Sequence, residues 1–165
     1  MAEEKTSVNG AAQKNNEQQF IIERIYIKDV SFEAPNSPAV FKKDWKPETS
    51  LNLNTQVNNL GEDRYEVELQ LNVTVKGEDS TAFLVEAVQA GAFVIKGYPP
   101  EQLNHLLASY CPSQLFPYAR EIISNLVSKG SFPEMHLSPI NFDALYANNL
   151  AKKQKDAEAK AKADA

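Results

Sequence analysis

The feature that most constrains this chain is a strict alternation of apolar and polar residues from Tyr65 to Lys76. Every odd-numbered residue of the run YEVELQLNVTVK is apolar and every even-numbered one is polar. Successive side chains of a β-strand point to opposite faces of the sheet, so the run predicts a strand with one buried and one solvated face. Residues 49–56 alternate in the same way, and a turn near Gly61 separates the two runs.

Two further segments predict strands that are apolar on both faces, FIIERIYIKDVSF from Phe20 and a longer run from about Thr81 to Ile95. Such strands are usually covered on both sides. In a chain this small, the second cover of the first strand is expected to be another subunit. Within the last strand, Ala90-Gly91 predicts either a bulge or a close approach of backbone.

The second half of the chain predicts helices. Apolar residues from Leu103 to Tyr110 recur at helical spacing, and a similar stripe continues to a helix end at Lys129-Gly130. Pro112 is expected to interrupt or kink this long helix because proline has no backbone N–H to donate. A shorter helix begins near Asn141, a suitable N-cap. Strands followed by helices predict an α+β fold with a four-stranded antiparallel sheet.

Both ends of the chain differ from the body, residues 20–150. Residues 1–19 are polar and predict a disordered arm, whereas residues 151–165 are rich in Ala and Lys and predict a flexible tail. The amino-terminal segment lacks the apolar core of a signal peptide, and no apolar run reaches about 18 residues. We therefore expect a cytoplasmic protein with no direct membrane insertion.

Little in the sequence suggests catalysis. The chain has two histidines and one cysteine, and it contains no metal-protease, phosphate-loop or CxxC motif. His105 and Cys111 are six residues apart on one predicted helix, so they point to different sides. We expect a non-enzyme without metal or cofactor; a small enzyme or metabolite-binding domain remains the alternative, which a measured turnover would favour. The net charge of -5 disfavours a nucleic-acid partner.

Several long strings resemble the SecB protein-export chaperones, over about residues 20–150. They are RIYIKDVSFEAPNSPAVFKKDW, TAFLVEAVQAGAF, SYCPSQLFPYARE and LVSKGSFPEMHLSPINFDAL. The resemblance implies a homotetramer, a dimer of dimers with helices between the sheets. It also implies an ATP-independent holdase that keeps secretory precursor proteins unfolded and delivers them to the SecA motor ATPase of the translocase. A structural or client-specific oligomer without a general export role is the alternative.

The resemblance also implies three sets of site residues. The groove for unfolded clients would comprise Leu51, Leu53, Met135, Phe142, Tyr146 and Leu150, with core packing as the alternative for each. The acidic face for the motor would comprise Asp29, Glu33, Leu84 and Glu86. Glu66 and Glu68, on the solvated face of their own strand, would add negative charge there. The oligomer interface would include Ile25, Val85, Ala87, Leu106 and Cys111.

Overall fold

Four antiparallel strands form one sheet in residues 17–163, the part of the chain that the computed structural model describes. They are β1 (Gln19–Glu33), β2 (Glu48–Gly61), β3 (Arg64–Lys76) and β4 (Thr81–Lys96). Their order across the sheet is β1-β4-β3-β2, so β1 and β2 are the two edges. The α+β class, the four strands and the turn after Gly61 are confirmed. Residues 1–16, which hold most of the predicted arm, lie outside the described residues.

The alternation in β3 separates the two faces of the sheet. Its odd-numbered residues from Val67 onward are almost completely buried: Val67, Leu69, Leu71, Val73 and Val75. We call this side the helix face, because the helix from Cys111 to Lys129 packs on it across β3 and β4. The opposite side, which carries Glu66, Glu68 and Asn72, is the outer face. Removing the apolar side chains of the helix face from water is the main stabilising contribution to such a core.

The long helix is continuous from Pro100 to Lys129, but one turn of it is wider. It consists of α1 (Pro100–His105), a π turn (Leu106–Tyr110) and α2 (Cys111–Lys129). In the π turn the backbone N–H of Cys111 donates to the carbonyl of Leu106, five residues back. Pro112 has no N–H and cannot form the next α-helical bond, so the distortion falls immediately before it. The predicted kink is therefore a π turn within a continuous helix.

Gly91 is a point of close approach, and the bulges of the sheet lie elsewhere. The register of β1 against β4 shifts between Ile22 and Arg24 and again between Ile27 and Asp29, which places both irregularities in β1. A Cβ atom on Gly91 would lie 2.8 Å from the Phe93 ring and 3.0 Å from a methyl group of Leu115 on α2. Of the two alternatives for this glycine, close packing is the one observed.

Gly91→Ala is expected to lower the free energy of unfolding by about 1–3 kcal/mol, because the added methyl group overpacks the contact between sheet and helix. Gly77→Ala is the matched control, since its Cβ would meet nothing closer than 3.7 Å. Urea unfolding of both variants measures the difference. Equal stability of the two variants would contradict tight packing at Gly91.

The third helix, α3 (Phe142–Ala163), is shorter than the helix from Pro100 to Lys129, as predicted, but it extends beyond its predicted end. Its N-cap is Asn141, whose side-chain oxygen accepts a 3.0 Å hydrogen bond from the backbone N–H of Ala144. Residues 151–163 are helical with every side chain exposed, and the flexibility of this tail stays a prediction. Alanine and lysine have high helix propensity, and this segment needs no buried face to be helical here.

Candidate functional site

An apolar groove lies between edge strand β2 and the segments that follow α2. One part of it is a cavity of about 610 Å³ between the start of β2 and the connector 133–140. A second cavity, of about 430 Å³, lies between residues 51–55 and the first turns of α3, with Ala108 of the π turn beside it. Leu51 lines both cavities. The two cavities lie one after the other along β2, and we call them together the groove.

The connector explains why the groove stays open. Residues 133–141 belong to no helix or strand, and Pro133 and Pro139 have no N–H with which to extend a sheet. Instead the hydroxyl of Ser124, on α2, donates a 2.7 Å hydrogen bond to the carbonyl of Met135. This contact joins the connector to α2 on the side of the cavity across from β2.

Four of the six predicted groove residues line the groove: Leu51, Leu53, Met135 and Tyr146. The other two do not. Phe142 is only 4% exposed and packs edge-on against Phe116, with ring centroids 6.1 Å apart, so its assignment to the groove is corrected to the core. Leu150 is exposed one turn beyond Tyr146, outside both cavities.

Trp45 and Ile140 are among the apolar groove residues that sequence reasoning missed. Both lie in irregular segments, where no helical or strand periodicity marks which side chains share a surface. Trp45 is 39% exposed, and its ring packs 5.8 Å from that of Phe132. A tryptophan in a loop segment with three prolines was the available signal, because loops lie on the surface and large aromatic residues there are common in binding sites.

The outer face of the sheet brings the four predicted acidic-face residues together. In the pairing of β1 with β4, Glu33 lies opposite Leu84 and Ser31 lies opposite Glu86, with Asp29 two residues further along. A shallow cavity of about 150 Å³ lies between Glu33, Leu84 and Glu86. Within residues 17–163, no basic nitrogen lies in salt-bridge range of these carboxylates. We call Asp29, Glu33, Leu84 and Glu86 the acidic face.

Glu66 and Glu68 are on the same side of the sheet, but both already have a basic partner within the chain. Lys28 contacts both, with its ammonium 3.1 Å from Glu66, and the hydroxyl of Tyr26 donates to Glu66 as well. The Tyr26 hydrogen bond, helped by Asn58 and Lys28, lowers the pKa of Glu66 to about 2. Burial, then that same hydrogen bond, raises the pKa of Tyr26 to about 12. Lys28 neutralises one of these two negative charges, so the pair adds less free negative charge to the outer face than two carboxylates without a basic partner would.

Three predicted interface residues are part of the chain's own core. Val85, Ala87 and Cys111 are at most 1% exposed on the helix face, so they have no surface left for a second copy, and the prediction is corrected for them. Burial raises the pKa of the Cys111 thiol to about 12. Ile25 and Leu106 are half-buried. The most exposed apolar side chain of β1 is Ile27, at 54%, which agrees with the expectation that this strand lacks a cover on one side.

The chemistry of these surfaces is that of binding. Among residues 17–163, no three histidine, cysteine or acidic side chains converge as a metal site would require. None of the helices in that range is both long and apolar enough to cross a membrane. The apolar groove suits apolar polypeptide segments, and the acidic face suits a basic partner.

Comparisons with known proteins agree with this description. The family model described as preprotein translocase subunit SecB matches residues 13–153. A protein-export protein SecB of Legionella pneumophila (strain Corby) is 56% identical over 148 residues, 90% of this chain and 91% of that protein. Its counterpart in Azotobacter vinelandii is 53% identical, over 92% and 93% of the two chains. A SecB-like chaperone of Mycobacterium tuberculosis, solved in complex with an antitoxin peptide, shares the fold at 15% identity, with a TM-score of 0.62 over 73% of this chain and 90% of that one.

Proposed function

Because this chain belongs to the family of the preprotein translocase subunit SecB, it is a protein-export chaperone, and we propose that it holds unfolded secretory precursors in the groove along β2. The observation that carries this proposal is the pair of cavities along β2 that share Leu51 and are lined in part by large apolar side chains, among them Leu53, Met135 and Tyr146. A folded protein has buried its long apolar stretches, so a groove of this kind favours chains that have not yet folded.

Edge strand β2 adds a second means of holding an extended chain. Its outer edge has no neighbouring strand in the sheet, and an edge strand presents backbone N–H and C=O groups that can pair with another extended segment. Backbone pairing does not depend on side-chain identity. Low sequence selectivity, with a preference for apolar and aromatic stretches, is the expected result.

Holding a client in this way requires no nucleotide and no turnover. The test is the aggregation of a chemically unfolded secretory precursor after dilution, followed by light scattering with and without the chaperone. We expect equal suppression in the presence and absence of ATP. If aggregation were unaffected at a tenfold molar excess of chaperone, the proposal would fail.

We propose that the acidic face docks the SecA motor ATPase. The acidic face lies on the outer face of the sheet. Leu51 and Leu53 point to the other side, the helix face. A client and the motor can therefore bind without competing for the same side chains. Carboxylates without a basic partner favour a basic segment and speed its association, an effect that salt screens over about 8–10 Å.

Glu86→Lys is expected to weaken motor binding about tenfold at low salt and to reduce its salt dependence, because the change replaces attraction by repulsion at the centre of the acidic face. Titration of the motor and of an unfolded client against the same variant measures both activities. Glu101→Lys, an equal charge change at an exposed site on α1, is the control. Equal loss of client and motor binding would point instead to a general folding defect.

We further propose a cytoplasmic homotetramer, a dimer of dimers. The exposed apolar side chains of β1 support an additional cover for that strand, and apolar surface of this kind is commonly buried by a second copy. Of the originally predicted interface residues, Ile25 and Leu106 keep accessible surface for such contacts.

A further inference from the structure

A hydrogen-bonded cluster joins α3 to the π turn. One carboxylate oxygen of Asp143 lies 2.5 Å from the hydroxyl of Ser109 and 2.8 Å from Nε2 of His105. A carboxylate can only accept, so both the hydroxyl and the ring nitrogen donate to it. The hydroxyl of Ser109, then the His105 ring, lowers the pKa of Asp143, which keeps the carboxylate charged.

The π turn makes this cluster possible. Ser109 is 2% exposed, yet its hydroxyl reaches Asp143 on a different helix. The turn is wide because Pro112 cannot donate a helical hydrogen bond. The same turn places Ala108 beside the groove. A single local distortion thus sets both one boundary of the groove and the anchor point for α3.

The position of α3 depends strongly on this anchor. Of all the elements of the described chain, the π turn is the one with which α3 makes its main contacts. Beyond Leu150 the helix is entirely exposed. Tyr146, which lines the groove one turn after Asp143, packs edge-on against the His105 ring with centroids 5.3 Å apart. A change at Asp143 would therefore reach the groove through His105 and Tyr146.

We propose that Asp143 is the positioning residue of the groove wall: it fixes the first turns of α3 to the π turn and so determines how firmly an apolar segment is held between Tyr146 and β2. The inference rests on the proposed function, because it assigns a role to the wall of the client groove. Asp143 is itself largely exposed, so its effect is a tuning of dissociation and not a loss of binding.

The experiment uses the full-length oligomer and reduced, carboxymethylated α-lactalbumin as a permanently unfolded probe. Asp143→Ala is expected to speed dissociation of the probe about fivefold, the effect of losing one charge-assisted hydrogen-bond cluster at a partly exposed site. Hydrogen exchange at the amides of residues 145–150 should speed up as well. Asp143→Asn keeps an acceptor for Ser109 and should recover part of both effects. Asp156→Ala, exposed on the same helix, should change neither.

A double-mutant cycle between Asp143 and Ser109 separates this positioning role from simple stabilisation of the first turn of α3. If Asp143 acts through Ser109, then Ser109→Ala adds almost nothing in the Asp143→Ala background. Additive effects of the two substitutions, or unchanged dissociation in Asp143→Ala, would overturn the inference. Failure of the wild-type protein to bind the probe would instead overturn the proposed function, and the exchange measurement would still test the anchor.

Discussion

Replacing Leu51 and Tyr146 together with serine is expected to weaken the binding of unfolded polypeptide about 30-fold. Leu51 lines both cavities and Tyr146 faces it across the second one. Losing the burial of two such side chains removes about 2 kcal/mol of binding free energy, which corresponds to that change in dissociation constant. Titration of a fluorescent unfolded precursor into each protein measures the loss.

The control for this variant lies on the same strand. Leu60 is 55% exposed on β2 but lines neither cavity, so Leu60→Ser makes an equivalent apolar-to-polar change outside the groove. Binding by Leu60→Ser should equal that of the wild type. If the double variant bound clients normally while remaining folded, the groove would not be the client site.

Ile27→Asp is expected to convert a tetramer into smaller species. Ile27 is more than half exposed on edge strand β1, so its replacement disturbs little within one chain. In an assembly that covers β1, the short carboxylate would be buried without a partner, at a cost of about 3–5 kcal/mol per interface. Native mass spectrometry at micromolar concentration gives the distribution of species.

Leu60→Asp, an equivalent change on the opposite edge strand, tests whether the effect is specific to β1. It should leave the tetramer intact, and thermal unfolding should show both variants folded. A wild-type protein that is monomeric at micromolar concentration would refute the assembly itself. An unchanged tetramer in Ile27→Asp would place the interface elsewhere.

The strands could be predicted closely because the alternation of apolar and polar residues follows directly from strand geometry, in which successive side chains point to opposite faces. Strand β3 was expected to begin at Tyr65 and begins at Arg64. The helical conformation of the tail was harder to predict, for a different reason. Helix formation in residues 151–163 follows from propensity and from continuity with α3, whereas the prediction relied on the absence of a buried face.

The site residues were harder, because periodicity does not distinguish a side chain that faces a groove from one that faces the core. Phe142 and Tyr146 are one turn apart on α3, yet the first packs on Phe116 and the second lines the groove. The ion pair between Glu66 and Lys28 was equally difficult to predict from the sequence. It depends on Lys28, which lies at a register shift between β1 and β4, and register shifts leave no clear mark in a single sequence.

The sharing of Leu51 by two cavities has a consequence for the length of a bound segment. The stretch of β2 from Thr49 to Thr55 that borders them is about 20 Å long at the rise of an extended chain. Filling it takes about six consecutive residues in one stretch. If clients bind in this groove, as proposed, shorter apolar patches are expected to occupy one cavity at a time and to dissociate quickly. In the proposed assembly of several copies, a long precursor that reaches more than one groove would gain avidity from its effective concentration. Client affinity is then expected to depend more on the length of the unfolded stretch than on its composition.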